Sequence, residues 1–355
     1  MKINNHQGLS LVELIISLVI ASVVLIGVIQ LSIASQSNYH FQEQISVMQE
    51  NARFALHELS KNIKNSHYLP AGCSKYTSIA NITWSKSTNQ PAVIDSGLGV
   101  KVIEISDKQL FDYSKLEKAT LNNDALYLGL IDSNQSFEVE SYNAEFNQFN
   151  LTSFYSISKH ILMLWVNDMC SQITVFSALQ KNNSNPENNT TINSIVLDMS
   201  GENIELIKNC SDYLYGDYFC KTKNGNVING YKSNKNNVIN SKIYPVFQKY
   251  YFVSDSTQKD KSGISYPALY LNENELVQGV ESMNISIGID TDFDGLLDRY
   301  VKSNELKDND WNNAKSLKVE LTLRSLERIE GIKTENDDGY LRRIYVQTIG
   351  LRNEW

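Results

Sequence analysis

The sequence predicts an α+β protein: one long N-terminal helix, apolar in its first half and amphipathic in its second, packed on a β-rich head with antiparallel sheet. Three observations carry that prediction. Leu14 to Ile29 reads LIISLVIASVVLIGVI without a charge. Beyond it, apolar residues recur at helical spacing as far as Ile63, and the first proline is Pro70. After Gly72 the chain breaks into short β-branched and aromatic runs separated by Asn, Asp, Ser and Gly clusters, the pattern of strands and turns.

At roughly 100 to 200 residues per domain, 355 residues allow two domains or one large domain with an appendage. With 42% hydrophobic and 20% charged residues the chain has enough apolar side chain to build a core. The formal charge of −8 argues against affinity for a phosphate backbone, which rests on Lys and Arg, so nucleic acid is not expected as a partner.

Leu9 to Ala34 exceeds the roughly 20 residues that a helix needs to cross a bilayer. Glu13 interrupts it, and an ionised carboxylate deep in a bilayer costs about 2.5 to 3.5 kcal/mol on insertion scales, so it calls for a partner. Three readings of the segment stand side by side. Lys2 and the small-x-small Ser32-Ile33-Ala34 fit a cleaved secretory signal. The length of the run fits an uncleaved anchor. Gly8-Leu9-Ser10-Leu11-Val12-Glu13, leading directly into the apolar helix, fits a signal processed at its polar edge.

That third pattern resembles the type IV prepilin signal. The resemblance implies cleavage by a prepilin peptidase after Gly8, which removes the leader, residues 1–8, on the cytoplasmic side. It also implies N-methylation of Leu9 and retention of residues 9–34 as a transmembrane and filament-core helix. Leu9 departs from the Phe most often found there but keeps a bulky apolar side chain. By the same resemblance Glu13 meets the terminal amine of a neighbouring subunit, an attraction strong enough in a low-dielectric helical core to fix register.

Residues 35–66 continue the helix as a stalk. Phe41, Ile45, Met48, Ala52, Ala55, Leu59 and Ile63 share one face, while Gln42, Glu43, Gln49, Glu50, Arg53, His57, Lys61 and Lys64 occupy the others. This stripe is a packing surface for the head, with no site implied. Stop signals between Asn65 and Pro70 end the helix, and residues 67–355 form the head. Strands are expected over Ala125–Leu130, Ile161–Val166, Tyr250–Val253 and Met283–Ile289. The alternation of Leu317, Val319, Leu321 and Leu323 with polar residues predicts a half-buried strand, joined to Ile344–Leu351 in an antiparallel C-terminal hairpin. Lys181–Thr191 and Lys221–Asn240, both rich in Asn, read as loops.

Glu50-Asn51-Ala52-Arg53-Phe54-Ala55-Leu56, the helix exit SHYLPAGC, Leu276-Val277-Gln278-Gly279-Val280-Glu281, Arg342-Arg343-Ile344-Tyr345 and Gly350-Leu351-Arg352-Asn353 extend the resemblance to the PilW family of minor type IV pilins. It covers both ends of the chain and little of the middle. The implied function is that of a minor pilin in pilus assembly, in a priming or tip complex. Its partners would be other minor and major pilins, prepilin peptidase and the inner membrane. It would cross that membrane once with its head in the periplasm, and later join the pilus. A type II secretion pseudopilin of the J type has the same architecture. A membrane-anchored periplasmic enzyme or binding protein using the helix only as a tether is the alternative of a different class.

Cys73, Cys170, Cys210 and Cys220 all follow the membrane segment, on the side where disulfides persist if the chain is exported. Four cysteines allow three pairings. Cys210 with Cys220, closing a Tyr-rich loop, and Cys73 with Cys170 is the preferred set; buried free thiols are the alternative. Zinc is disfavoured by the lack of any CxxC pair or nearby His.

Asp290-Thr291-Asp292-Phe293-Asp294-Gly295-Leu296-Leu297-Asp298 matches the first part of an EF-hand-type calcium loop. It offers carboxylates at positions one, three and five, Gly at six, the Leu296 carbonyl at seven and Asp298 at nine. Val301 replaces the bidentate Glu at twelve, and Phe293 stands where Gly is common. The competing reading is an acidic turn between strands. No P-loop, GxGxxG, HExxH or GxSxG occurs, and His6, His40, His57, His67 and His160 are scattered, so no enzymatic activity is expected.

Overall fold

The computed structural model describes residues 11–66, 77–81, 83–84, 99–105, 119–132, 134–143, 148–152, 161–168, 170, 172–184, 191–197, 207–208, 219–221, 227–229, 240–292, 294–306, 313–329 and 338–351. One helix, α1 (Leu11–Ser66), is followed by strands throughout. Its 56 residues extend about 84 Å at 1.5 Å per residue. Its two halves differ as the sequence predicts. From Leu11 to Ile33 the large apolar side chains are exposed, and the window most fit to cross a membrane has none of its residues buried by the head. From Met48 onward Met48, Ala52, Ala55, Leu59 and Ile63 are buried, with Phe41 and Ile45 half-buried at the start of the stripe.

The strands run β1 (Thr77–Asn81), β2 (Thr83–Trp84), β3 (Gly99–Glu104), β4 (Asp124–Ile131), β5 (Phe137–Asn143), β6 (Gln148–Leu151), β7 (Ile161–Val166), β8 (Gln172–Ser184) and β9 (Thr191–Leu197). After them come β10 (Ile207–Lys208), β11 (Phe219–Lys221), β12 (Val227–Asn229), β13 (Lys242–Lys259), β14 (Ser265–Leu271), β15 (Asn274–Gln278), β16 (Val280–Ile289), β17 (Arg299–Lys302), β18 (Ala314–Arg324) and β19 (Arg342–Gly350). Among the described residues, eleven strands form one sheet and four form a second in the order β17-β16-β18-β19. The expected C-terminal hairpin is present: β18 and β19 pair antiparallel from Ser316↔Gly350 to Arg324↔Arg342 without a register shift. Among the described pairs one is parallel, β1 with β8.

The expected loop Lys181–Thr191 is in part a hairpin. β8 runs to Ser184 and pairs with β9 from Ala178↔Leu197 to Ser184↔Thr191. A two-stranded ladder satisfies the backbone of Lys181 to Ser184 whatever their side-chain propensity, and the composition argument missed this. Within Lys221–Asn240, residues 227–229 form β12, which pairs with β11.

Both sheets meet α1. The main core joins the buried stripe of α1 to Leu126, Leu128 and Leu130 of β4, Tyr251 and Val253 of β13, the inward residues of β16 and β18, and Ile349 of β19. A second cluster, around Phe137, Phe149, Trp165 and Phe176, fills the far part of the large sheet. Trp165 is satisfied there by donating its Nε1–H to Ser241 Oγ at 2.7 Å.

Two devices connect the sheets. Gly279, between β15 and β16, has φ +86, and a Cβ there would lie 2.9 Å from the Arg324 carbonyl oxygen. Only glycine combines that left-handed backbone with so close an approach. Its N–H donates to Pro267 at 2.6 Å and its carbonyl accepts from Arg324 N–H at 2.7 Å. The second device lies on the flank of β16 where β17 has ended, since β17 pairs only with Ser286 to Ile289. There Asn123 Oδ1 accepts from Met283 N–H at 2.8 Å, and Asp124 Oδ2 from Ile285 N–H at 2.6 Å. Side chains of the large sheet thus replace a missing strand of the small one.

Candidate assembly helix and acidic loop

The functional residues read from the sequence fall in two places. Gly8 and Leu9 lie outside the described residues. Glu13 is in the first described turn of α1 and is exposed. Around and after it stands a continuous apolar surface in which Leu11, Leu18, Val23 and Leu31 are each more than 60% exposed. A single such residue means little, but a helix apolar on every face buries that surface in lipid or against other helices.

What holds this helix to the head is partly polar, and sequence patterning missed it. Gln44 Oε1 accepts from Leu326 N–H at 3.1 Å and Glu327 N–H at 3.3 Å. Asn51 Nδ2 donates to the Gln278 carbonyl at 3.1 Å. Asn62, fully inside the interface, donates to Tyr251 Oη at 2.8 Å and Glu58 Oε1 at 2.7 Å and accepts from Lys249 Nζ at 2.9 Å. Burial pushes the Tyr251 hydroxyl well above its usual range, with the Glu58 charge adding to the shift. These bonds fix which face of α1 meets the head, whereas the aliphatic stripe alone tolerates sliding by a turn. The available signal was Asn62, a polar residue next to the apolar stripe.

The acidic loop connects β16 and β17. Asp290, Asp292 and Asp294 come together, with one carboxylate oxygen of each within 4.8 Å of the others. Asp290 is buried, while Asp292 and Asp294 are exposed. Gly295, at φ +88, donates its N–H to Asp290 Oδ2 at 3.0 Å, and Leu296 N–H donates to Asp294 Oδ1 at 2.7 Å. Lys315 Nζ stands 3.9 Å from Asp290 Oδ2. Asp298 is engaged otherwise: its Oδ2 accepts from Thr291 N–H at 2.6 Å and from the Thr291 hydroxyl. Those bonds hold its carboxyl below the usual carboxylate range. Val301, at the loop's twelfth position, is a buried strand residue opposite Ile287. Leu296 is 69% exposed at the loop's tip; Phe293 lies outside the described residues. Three carboxylates of compatible spacing therefore suit a hard cation, while positions nine and twelve supply tethering and packing in place of the usual ligands.

Cys73 and Cys210 lie outside the described residues, as does the side chain of Cys220. Cys170 follows a turn in which its N–H donates to the Asn167 carbonyl at 3.0 Å, and its φ is +54. It is disulfide-bonded, and no described cysteine is free.

A helix that stands clear at its apolar end and is clasped to a β-rich head along the rest makes an α+β, pilin-like fold. Residues 3–29 match the family model described as the prokaryotic N-terminal methylation motif, and residues 250–353 match that of Type IV Pilus-assembly protein W. Together the two matches, at the N-terminal helix and over the last third of the chain, support a type IV pilus-related pilin. The second match spans the end of β13 through β19, including the Gly279 pivot and the whole four-stranded sheet. No curated protein and no solved structure matches the chain.

Proposed function

We propose that the chain is a minor pilin that takes part in type IV pilus assembly within a priming or tip complex. It is made as a single-pass inner-membrane precursor with its head in the periplasm. Prepilin peptidase cuts after Gly8, Leu9 is methylated, and the helix passes from the membrane into the filament core. The observation that carries this reading is the division of α1: one half docked by its stripe and by Gln44, Asn51 and Asn62, the other standing clear with every large apolar residue exposed. Glu13 lies in that clear half. Leaving lipid for a protein core, its carboxylate is penalised until an ammonium meets it, which makes it a register contact for a neighbouring subunit's amine. The work is mechanical and associative, with no catalytic step.

Separate Gly8→Ala and Glu13→Ala substitutions test this. Gly8→Ala leaves the precursor at full size and abolishes its entry into pili; Glu13→Ala is processed but incorporated poorly. A mere tether tolerates both, and unchanged piliation in both would refute the reading.

Two features of the head belong to the same proposal. Disulfides pair Cys210 with Cys220 and Cys73 with Cys170, tying the helix exit to the large sheet; peptide mapping under non-reducing conditions reads this directly. Calcium binds the acidic loop through Asp290, Asp292 and Asp294, with the Leu296 carbonyl completing the set while Asp298 holds Thr291 and keeps the loop closed. The convergence of three carboxylates, one of them buried, supports it. Binding to the folded state raises the melting temperature, and titration calorimetry of the full chain showing neither heat nor a thermal shift would remove the metal.

A further inference from the structure

We infer that the open edge of β19 is a docking strand for an extended edge segment of a neighbouring pilin head. The inference rests on the assembly reading above. β19 ends the order of the four-stranded sheet, and among the described residues no strand pairs with its far side. Leu351 N–H donates to Lys315, and Ser325 N–H to Leu341. With the antiparallel register, this assigns the ladder bonds to the odd-numbered residues of β19. Ile344, Val346 and Thr348 consequently turn their N–H and C=O groups outward.

Edges of this kind are usually blunted by a bulge, a proline or a lysine. β19 reads RRIYVQTIG, with nine consecutive pairs in register, no bulge and no proline, and its charges confined to Arg342 and Arg343 at the start, so Ile344 to Gly350 carries none of those features. Its side chains point the same way. Ile344 is 62% exposed and Val346 50%, although both sit in a sheet. The reason is their covered-side neighbours, Thr322 opposite Ile344 and Glu320 opposite Val346, neither of which offers apolar cover. Only a strand added at the open edge gives these two residues apolar cross-strand partners.

The occupant follows from what lies beside the edge. The inward side of β19 packs with α1, through Ile349, Tyr345 and the adjoining Leu351. Ser325 N–H bonds to Leu341 at the start of β19, and the next residue, Leu326, bonds to Gln44 of α1, so the edge begins where α1 leaves the head and a subunit packed along the exposed half of α1 meets it there. The partner chemistry is an extended segment with apolar residues on the face shared with Ile344 and Val346. Main-chain bonds supply affinity, and the side-chain pairs supply choice of partner.

The test compares residue-resolved amide exchange in the full chain in detergent, alone and in complex with pilins co-purified from the cells that make it. On complex formation the amides of Ile344, Val346 and Thr348 slow by roughly tenfold or more, while those of Tyr345 and Gln347, already in the ladder, change little. Val346→Pro removes an outward N–H without breaking a ladder bond, and Ile344→Lys keeps the backbone intact; both reduce co-purification, whereas Val346→Thr does not. A complex that forms with the outward amides still fast overturns the docking strand and leaves the assembly reading standing. Protection in the isolated chain with a dimer mass overturns the occupant in favour of a second copy. Failure of any complex to form refutes the assembly reading, and the docking strand with it.

Discussion

Replacing Asp124 by alanine removes the carboxylate that substitutes for a β-strand at the junction of the two sheets. In the native head Oδ2 accepts from Ile285 N–H at 2.6 Å and Oδ1 from Ser303 Oγ at 2.9 Å. Ile285 is 1% exposed, so no water reaches the orphaned N–H. An unsatisfied buried donor costs about 1 to 3 kcal/mol, and bonds to a charged acceptor sit at the upper end. Against this, the carboxylate is itself buried, and that burial raises its pKa, with Glu104 on the neighbouring strand adding to the rise. Part of the loss is therefore returned when the charge goes. The net cost is about 1 to 2 kcal/mol, which at about 2 to 4 °C per kcal/mol for a large domain lowers Tm by roughly 2 to 8 °C. Asp124→Asn keeps one acceptor oxygen for Ile285 and should lose less than half as much. The pH dependence has a fixed sign. A carboxylate whose folded pKa is raised binds its proton more tightly in the folded state, so its contribution is greatest below the unfolded value and is lost as pH rises through the folded one. Relative to Asp124→Asn, the natural protein therefore gains stability on acidification toward pH 4. Thermal melts of the three proteins across pH decide the matter: equal Tm for the Ala and Asn variants at neutral pH would refute the surrogate-strand account.

Leu59→Ala empties a fully buried position between α1 and both sheets and should cost about 2 to 5 kcal/mol in denaturant melts. Phe54→Ala, on the exposed side of the same helix, should have little effect. Gly279→Ala meets both a left-handed backbone and the Arg324 carbonyl; it should destabilise by well over about 1 kcal/mol and separate the melting of the two sheets. Arg342→Ala breaks bonds to Glu281 and Asp338 and leaves two carboxylates facing each other. Because the site is partly exposed, its cost should shrink in high salt, which melts at two ionic strengths would show.

The parts legible in the sequence were those set by periodicity. The buried stripe from Met48 to Ile63 and the alternation in β18 follow from which side chains avoid water, and both lie where the spacing puts them. β7 was equally plain, from a bounded apolar run. What sequence could not supply were long-range polar pairings. Asn123 and Asp124 look like turn residues, yet they meet Met283 and Ile285 some 160 positions away. Gln44 and Asn62 look like solvent-facing helix residues, and their partners at Leu326 and Tyr251 become visible only once the sheets are assembled. Lys181 to Ser184 failed for the opposite reason: local composition favoured a loop, and pairing with β9 overrode it. In the acidic loop the spacing of Asp290, Asp292 and Asp294 was readable, but the diversion of Asp298 to Thr291 was not, since it depends on the loop's closure.

The measurement that bears most directly on the assignment is the intact mass of the protein from its native membrane or pili, with sequencing of the first peptide. A mature chain beginning at Leu9 and carrying one added methyl group on its amine is the expected result. A chain still beginning at Met1, or one cut after Ala34 so that the apolar helix is lost, would contradict the pilin account.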